Sequence, residues 1–257
     1  MDLDTLHERN LIAVPQQEQA LAWLIQNGPL VEEPPLPMTV LRNLVSQQRL
    51  VRLRRGVYLA PTPEGRLPPL SRTIALLDPE GYISGHGALS LLDLTDQDIA
   101  RWYSVSSRRQ ADISYGSLSA HFVLSPARRS QASTRDVLVR GDRVVLATPP
   151  RAFVDEVELM PFGLDYSETT RILRYAVDTR AATEDALVAE LARTPSVAGA
   201  RRLGLLLDLA TGHKNARLLE IAQSSPGMTR TSGDDIPVYP WRLYLPQSPS
   251  GILAASR

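Results

Sequence analysis

Four prolines fall within the ten residues "PTPEGRLPPL" at positions 61 to 70. Proline lacks an amide proton and fixes φ, so neither a helix interior nor a central strand can run through such a stretch. The chain is thereby divided into a short leading block and a long following one. At 257 residues it is long enough for two cores. The expected organisation is a domain at 1–62, a proline-rich linker at 63–70 and a second domain at 71–257.

The leading block reads as helices followed by a hairpin. In "PQQEQALAWLIQNGP", residues 15 to 29, Pro15 suits a first helical turn and Leu21, Leu24 and Ile25 share a face. Asn27-Gly28-Pro29 then stops the helix. "LVEEPPLP" carries three prolines in eight residues and can hold at most a short turn of helix. From Pro37, "PMTVLRNLVSQQ" is helical again, with Val40, Leu41, Leu44 and Val45 on one side and Thr39, Arg42, Asn43 and Ser46 opposite. "RLVRLRR" and "GVYLAP" alternate around Gly56 as a two-stranded hairpin.

Charge is concentrated on that last element. Between Pro37 and Ala60 there are five arginines and no acidic residue, although the whole chain is formally neutral. Three helical pieces and a basic hairpin form the element order of a winged helix, whose last helix enters the DNA major groove. Arg52, Arg54 and Arg55 on the wing would pair with phosphates. Thr39, Arg42, Asn43 and Ser46 carry groups able to hydrogen-bond base edges. Two other readings stand beside this one: a solvated basic hairpin capping a helical domain, and a winged helix that binds protein. The proline-rich "LVEEPPLP" counts against DNA binding, because the helix that normally braces the recognition helix would have to fit there.

The body is mixed. "SRTIALLDPEG" reads as helix and turn, and "YISGHGALSLLDL" as a strand end running into a helix capped by Ser84. From about residue 100 the period changes to two, ending in a hairpin, "RDVLVRGDRVVLAT", that turns at Gly141-Asp142. After Pro149-Pro150 the pattern is helical, including "ARRLGLLLDLATGH", whose leucines face inward while Arg201 and Arg202 are expected outside. The tail "VYPWRLYLP" reads as a last strand packing on the body or, alternatively, as an aromatic docking strip. The fold class expected is α+β, with an N-terminal winged helix-turn-helix and an α+β C-terminal domain that ends mostly helical.

Several chemistries lack their residues. Cysteine is absent, which removes disulfides, thiolate catalysis and Cys-based zinc sites. Of 28 basic residues only Lys214 is lysine, and Gly212 stands where a restriction-type nuclease would need an acid two positions earlier. Gly116-Ser117 follows Asp96-Gln97-Asp98, the reverse of a nucleotidyltransferase order. "SGHGALS" lacks the spacing and lysine of a P-loop. His7, His86, His121 and His213 are too dispersed for a metal set or a triad. No catalytic residue, metal site or cofactor is expected, and the protein is not expected to be an enzyme. The polar, acidic start and the lack of a long apolar run point to a cytoplasmic protein with no membrane partner. From Arg101 to Arg151 there are nine arginines against three aspartates, with pairs at Arg108-Arg109 and Arg128-Arg129. These form either scattered solvated strand ends or a second nucleic-acid surface. The latter suits a chain that is monomeric in solution and binds adjacent sites cooperatively.

Three stretches carry a family resemblance. "LRNLVSQQRLVRLRRGVYLAP" looks like a helix-then-wing motif ending in Arg55, Gly56 and Tyr58. "GYISGHGALSLLDL" looks like the first strand and helix of a second domain, and "RVVLATPPRAFVDEV" with "ARRLGLLLDLATG" looks like its hairpin and helices. In this order they resemble the AbiEi antitoxins of bacterial abortive-infection, type IV toxin–antitoxin systems, over about residues 15 to 245. The resemblance implies a winged helix that represses its own promoter by binding inverted repeats in operator DNA. It also implies a C-terminal domain that counteracts a nucleotidyltransferase toxin without requiring a stable complex. Carried over, the DNA contacts fall on Thr39, Arg42, Asn43, Ser46, Arg49, Arg52, Arg54 and Arg55. The alternatives are a standalone regulator or adaptor with no toxin partner and, more remotely, a nuclease.

Overall fold

The structure is a computed structural model that describes residues 16–62, 65–159, 165–230 and 236–256. It is a mixed α+β protein. Helix α1 spans 16–26 and buries Ala20 and Leu24. It ends where the Asn27 side-chain amide donates to the Trp23 carbonyl (2.8 Å) and Gly28 takes a φ of 105°. Only glycine adopts that backbone without strain. Pro15 lies outside the described residues.

"LVEEPPLP" holds no helix. Leu30–Glu32 forms strand β1, and the prolines that follow bend the chain directly into α2, Met38–Ser46. Strands β2 (Val51–Arg54) and β3 (Val57–Leu59) complete an antiparallel sheet in the order β1-β3-β2. Leu30 faces Leu59 and Glu32 faces Val57 across β1 and β3, and a register shift lies between Arg52 and Arg54 on β2.

Because side chains alternate along a strand, this small sheet serves two cores. Val31, Leu50, Tyr58 and Ala60 pack with Ala20, Leu24, Val40, Leu41 and Leu44. Leu53, Val57 and Leu59 belong instead to the main core, with Leu70 and Ile74. The described part of the proline-rich stretch is folded as a turn, with Gly65 N–H donating to the Thr62 carbonyl (2.8 Å) and Thr62 N–H to that of Arg66 (2.7 Å).

The body holds α3 (Leu70–Leu77), β4 (Tyr82–Ser84), α4 (Gly85–Leu91), β5 (Arg101–Ser106), β6 (Ile113–Tyr115), β7 (Leu118–Leu124), α5 (Pro126–Gln131), β8 (Thr134–Val139) and β9 (Asp142–Ala147). Its six strands lie in the order β6-β7-β5-β4-β9-β8, with parallel pairs at β5–β7 and β4–β9. All three residues of central β4 are buried, as expected where both sheet faces are covered. The β8–β9 hairpin pairs Val139 with Asp142. Its two turn residues are therefore Arg140 and Gly141, both at positive φ (52° and 89°), one position before the expected turn. Such a pair matches the twist of the flanking strands.

Helices α6 (Pro149–Leu159), α7 (Tyr166–Asp178), α8 (Glu184–Arg193), α9 (Val197–Thr211) and α10 (Ala216–Gln223) follow. Their starts are set by side chains: Asp165, Thr183, Ser196 and Asn215 each accept from amides in the first turn of α7, α8, α9 and α10, which would otherwise lack partners. A small sheet, β10 (Thr229–Arg230), β11 (Ile236–Val238) and β12 (Leu243–Leu245), and helix α11 (Pro249–Ala255) close the described chain. Trp241 is buried against Gly204 of α9, so the tail packs on the body, while Tyr239 is exposed.

One sequence expectation fails here. Arg201 and Arg202 are buried, not solvated. Arg201 donates to the carbonyls of Ala222 (2.9 Å) and Ser225 (2.7 Å), and Arg202 to that of Val157 (3.0 Å). Carbonyls at the ends of helices and turns lack intrahelical partners, and a guanidinium with five donors can satisfy several at once. Burial lowers the pKa of both arginines. Among the described residues no helix is long and apolar enough to cross a membrane.

Candidate nucleic-acid interface

Helix α2 buries Val40, Leu41 and Leu44 and leaves Thr39, Arg42, Asn43 and Ser46 exposed. The polar face expected from the sequence is therefore on the outside. The Ser46 hydroxyl donates to the Asn43 carbonyl (2.8 Å), one turn back along the helix.

The five arginines of this block divide into two kinds. Arg49 makes two bonds to Glu18 of α1, at 2.6 and 2.9 Å. That pairing holds the Glu18 carboxyl below its ordinary range and raises the Arg49 pKa. Arg54 lies 3.7 Å from Glu32 and donates to the Gln110 side chain at 3.0 Å. Arg42, Arg52 and Arg55 are exposed and have no ion-pair partner among the described residues. Of the cationic positions expected to meet DNA, these three present an uncommitted charge.

The β2–β3 hairpin turn is tight and stapled. Gly56 takes a φ of 77°, and its carbonyl accepts from the Glu33 amide at 2.7 Å. Glu32 and Glu33 are thus brought beside Arg54 and Arg55, two acidic groups at the base of a basic hairpin. The proline-bent connection holds no helix and is fixed by this backbone link and by the buried Pro34.

A segment distant in sequence reaches the same place. Gln110, which accepts from Arg54, donates with Arg108 to the Leu77 carbonyl, at 3.1 and 3.2 Å. Arg109 is exposed between them. The Arg108-Arg109 pair therefore stands next to the β2–β3 hairpin. Arg128 and Arg129 are on α5, away from that junction in sequence, and their side chains lie outside the described ones.

A second polar constellation was not legible in the sequence. Arg151 of α6 is fully buried, pairs with Asp155 one turn later and lies 3.4 Å from Glu190 of α8. Asp155 also accepts from the hydroxyls of Tyr82 (2.9 Å) and Ser84 (2.7 Å) on β4. Ser84 does stand at the start of α4, but its hydroxyl is used there and not as a helix cap. Glu190 accepts from the Ser133 hydroxyl at 2.7 Å and pairs with Arg193 at 3.2 Å. Beside this set, the buried Glu156 accepts from the His86 amide (3.1 Å), and burial pushes its pKa up. Burial also raises the Tyr82 pKa, with the Asp155 charge adding to it. Burial opposes the Arg151 charge, but the hydrogen bond and charge of Asp155 outweigh it and hold the guanidinium protonated. The arrangement joins β4, α6 and α8 from inside. The only sequence signal for it is the Arg151–Asp155 spacing of four on one helix.

The described histidines stand apart. His86 reaches Thr169 (3.2 Å), His121 pairs with Asp112 (2.6 Å) and His213 with Glu184 (2.7 Å). His7 lies outside the described residues. Among those described, no group of three or more His, Asp or Glu is placed to hold a metal ion. Compared with known proteins, the chain matches no family model and no curated relative.

Proposed function

We propose that the protein is a DNA-binding regulator whose N-terminal unit acts as a winged helix on operator DNA. The observation that supports this most is the coincidence of two features on one small unit. Helix α2 presents Thr39, Arg42, Asn43 and Ser46 outward, and the uncommitted cations Arg52 and Arg55 stand on the adjoining hairpin. Arginine and asparagine read guanine and adenine edges in the major groove, and exposed hairpin arginines neutralise backbone phosphates. Arg109, beside the wing, extends the cationic surface into the body.

With the family resemblance, the reading becomes more specific. The chain represses its own promoter through inverted repeats, acts in the cytoplasm and counteracts a nucleotidyltransferase toxin encoded beside it. No cofactor or catalytic residue enters this role. The test is a titration of the full chain on its own upstream DNA and on scrambled DNA at two salt concentrations. Selective, salt-sensitive binding supports the reading. Equal binding to both DNAs sinks the operator assignment. Growth rescue on co-expression with the neighbouring nucleotidyltransferase tests the antitoxin role separately.

A protein-binding adaptor is the second reading. It is favoured by Glu32 and Glu33, which set negative charge against the wing where DNA phosphates would have to approach.

A further inference from the structure

Two arginines of the body meet at one carbonyl. Arg201 of α9 is only 3 % exposed and donates to the Ala222 carbonyl (2.9 Å), the Ser225 carbonyl (2.7 Å) and the Thr229 hydroxyl (3.0 Å). Arg242, half-buried between β11 and β12, donates from Nη1 to the same Ser225 carbonyl (2.5 Å) and to that of Gln223 (3.3 Å). The backbone keeps the two together, since the Thr229 amide donates to the Arg242 carbonyl at 2.8 Å.

The charges here do not balance. The carbonyl end of a helix such as α10 carries about half a negative charge, against two guanidiniums. Neither arginine has a carboxylate partner among the described residues. Burial and the neighbouring Arg242 charge lower the Arg201 pKa. The buried Arg151, by contrast, has Asp155 beside it. A positive charge of roughly 1.5 is left unanswered at the end of α10.

Donors remain for an anion. A guanidinium has five N–H groups, and Nε and Nη2 of Arg242 make no hydrogen bond among the described residues. The Thr229 hydroxyl accepts from Arg201, so its own proton is available to donate. Ser225, Thr229 and Arg242 are half-buried and Pro226 and Gly227 exposed, which opens the place to solvent from the loop side. Charge selects the ligand: a phosphate monoester brings about −1.5 to −2 and three strong acceptor oxygens, whereas a carboxylate brings a single charge.

We infer that the Arg201–Arg242 pair at the end of α10 binds a phosphate group, free or at the end of a small ester. Arg242 meets its oxygens from Nε and Nη2, the Thr229 hydroxyl donates to it, and Arg201 adds charge from behind. The site rests on the body alone and does not require the DNA-binding reading to hold.

The test uses sodium phosphate and β-glycerophosphate as probes, with sodium acetate at matched ionic strength as the singly charged control. Binding to the full chain is followed by amide chemical shifts and by melting temperature. The expected result is saturable binding of phosphate, with shifts centred on Ser225, Thr229 and Arg242 and a melting temperature that rises with its concentration. Acetate should bind roughly tenfold more weakly. The tighter of the two phosphates tells a free ion from an ester. Arg242→Gln keeps a donor for the Ser225 carbonyl and should weaken phosphate roughly tenfold without lowering the melting temperature in phosphate-free buffer. Arg242→Glu supplies the missing carboxylate, so it should raise the melting temperature in that buffer and abolish the phosphate response. Non-saturating shifts, acetate binding as tight as phosphate, or an undiminished phosphate response in either folded variant would overturn the assignment. So would a lower melting temperature for Arg242→Glu, because Arg201 would then not lack a counter-charge.

Discussion

Replacing Arg52 and Arg55 together with alanine isolates the charges on which the proposed DNA contact depends. Both side chains are exposed and make no ion pair among the described residues, so their loss should leave folding intact. Each phosphate contact contributes about 0.9 to the slope of log affinity against log salt, so the double variant should be shallower by about 1.8. Between 50 and 200 mM salt the native protein would therefore lose about twelve times more affinity than the variant does. Fluorescence anisotropy on labelled promoter DNA, repeated on scrambled DNA, gives both slopes. Selectivity between the two DNAs should survive, because phosphate contacts carry no sequence information. Arg49→Ala is the control, since its charge is directed to Glu18, and it should leave the slope nearly unchanged. An Arg52/Arg55 variant with the native slope, or an Arg49 variant with a markedly shallower one, would refute the division of these arginines into committed and uncommitted charges.

The body offers sharper tests of stability. Arg151→Met leaves Asp155 buried without its cation and Glu190 with Arg193 alone, and should cost about 3–5 kcal/mol in urea unfolding; a cost below about 1 kcal/mol would mean that the network is not held by its charges. Burial raises the Glu156 pKa above its ordinary 4.5, so the native state binds the proton more tightly than the unfolded chain. Stability contributed by that proton is lost as pH rises from about 4.5 through the native value. Glu156→Gln should therefore gain on the native protein over that window and hold a constant difference above it, and a difference independent of pH would contradict the assignment. In Gly204→Ala, the new methyl would run into the buried Trp241 ring, and the forced shift should cost about 1–3 kcal/mol, measured with tryptophan fluorescence as the probe.

The sequence was informative where periodicity and punctuation act locally. The polar face of α2, the stop at Gly28, the alternation from residue 100 onward and the helices after Pro149 all depend on residues close together in the chain. What could not be read depends on tertiary partners. β1 is only three residues long, and it is a strand because β3 is there to pair with it. β6 likewise exists as the partner of β7. Arg201 and Arg202 fit the pattern of solvated helix residues, yet they are buried because carbonyls some 20 to 30 residues later and at Val157 need donors. The same limit applies to the interface. Charge density alone could mark five arginines, but only Glu18, Glu32 and Gln110 decide which of them are engaged.

The double use of the small N-terminal sheet bears on how such a regulator would work. A hairpin on a free module can adjust to its target, whereas here Leu53, Val57 and Leu59 fix the back of the hairpin in the main core, and Gln110 ties Arg54 to the β5–β6 connection. Bending that hairpin away from the body would expose those three side chains, each worth about 1.5–3 kcal/mol on burial. The cationic positions at Arg52, Arg55 and Arg109 are consequently held in one relative geometry set by the body's own fold. A ligand or partner acting on the body could then alter the proposed DNA surface only by shifting packed elements, since among the described residues this sheet belongs to both cores.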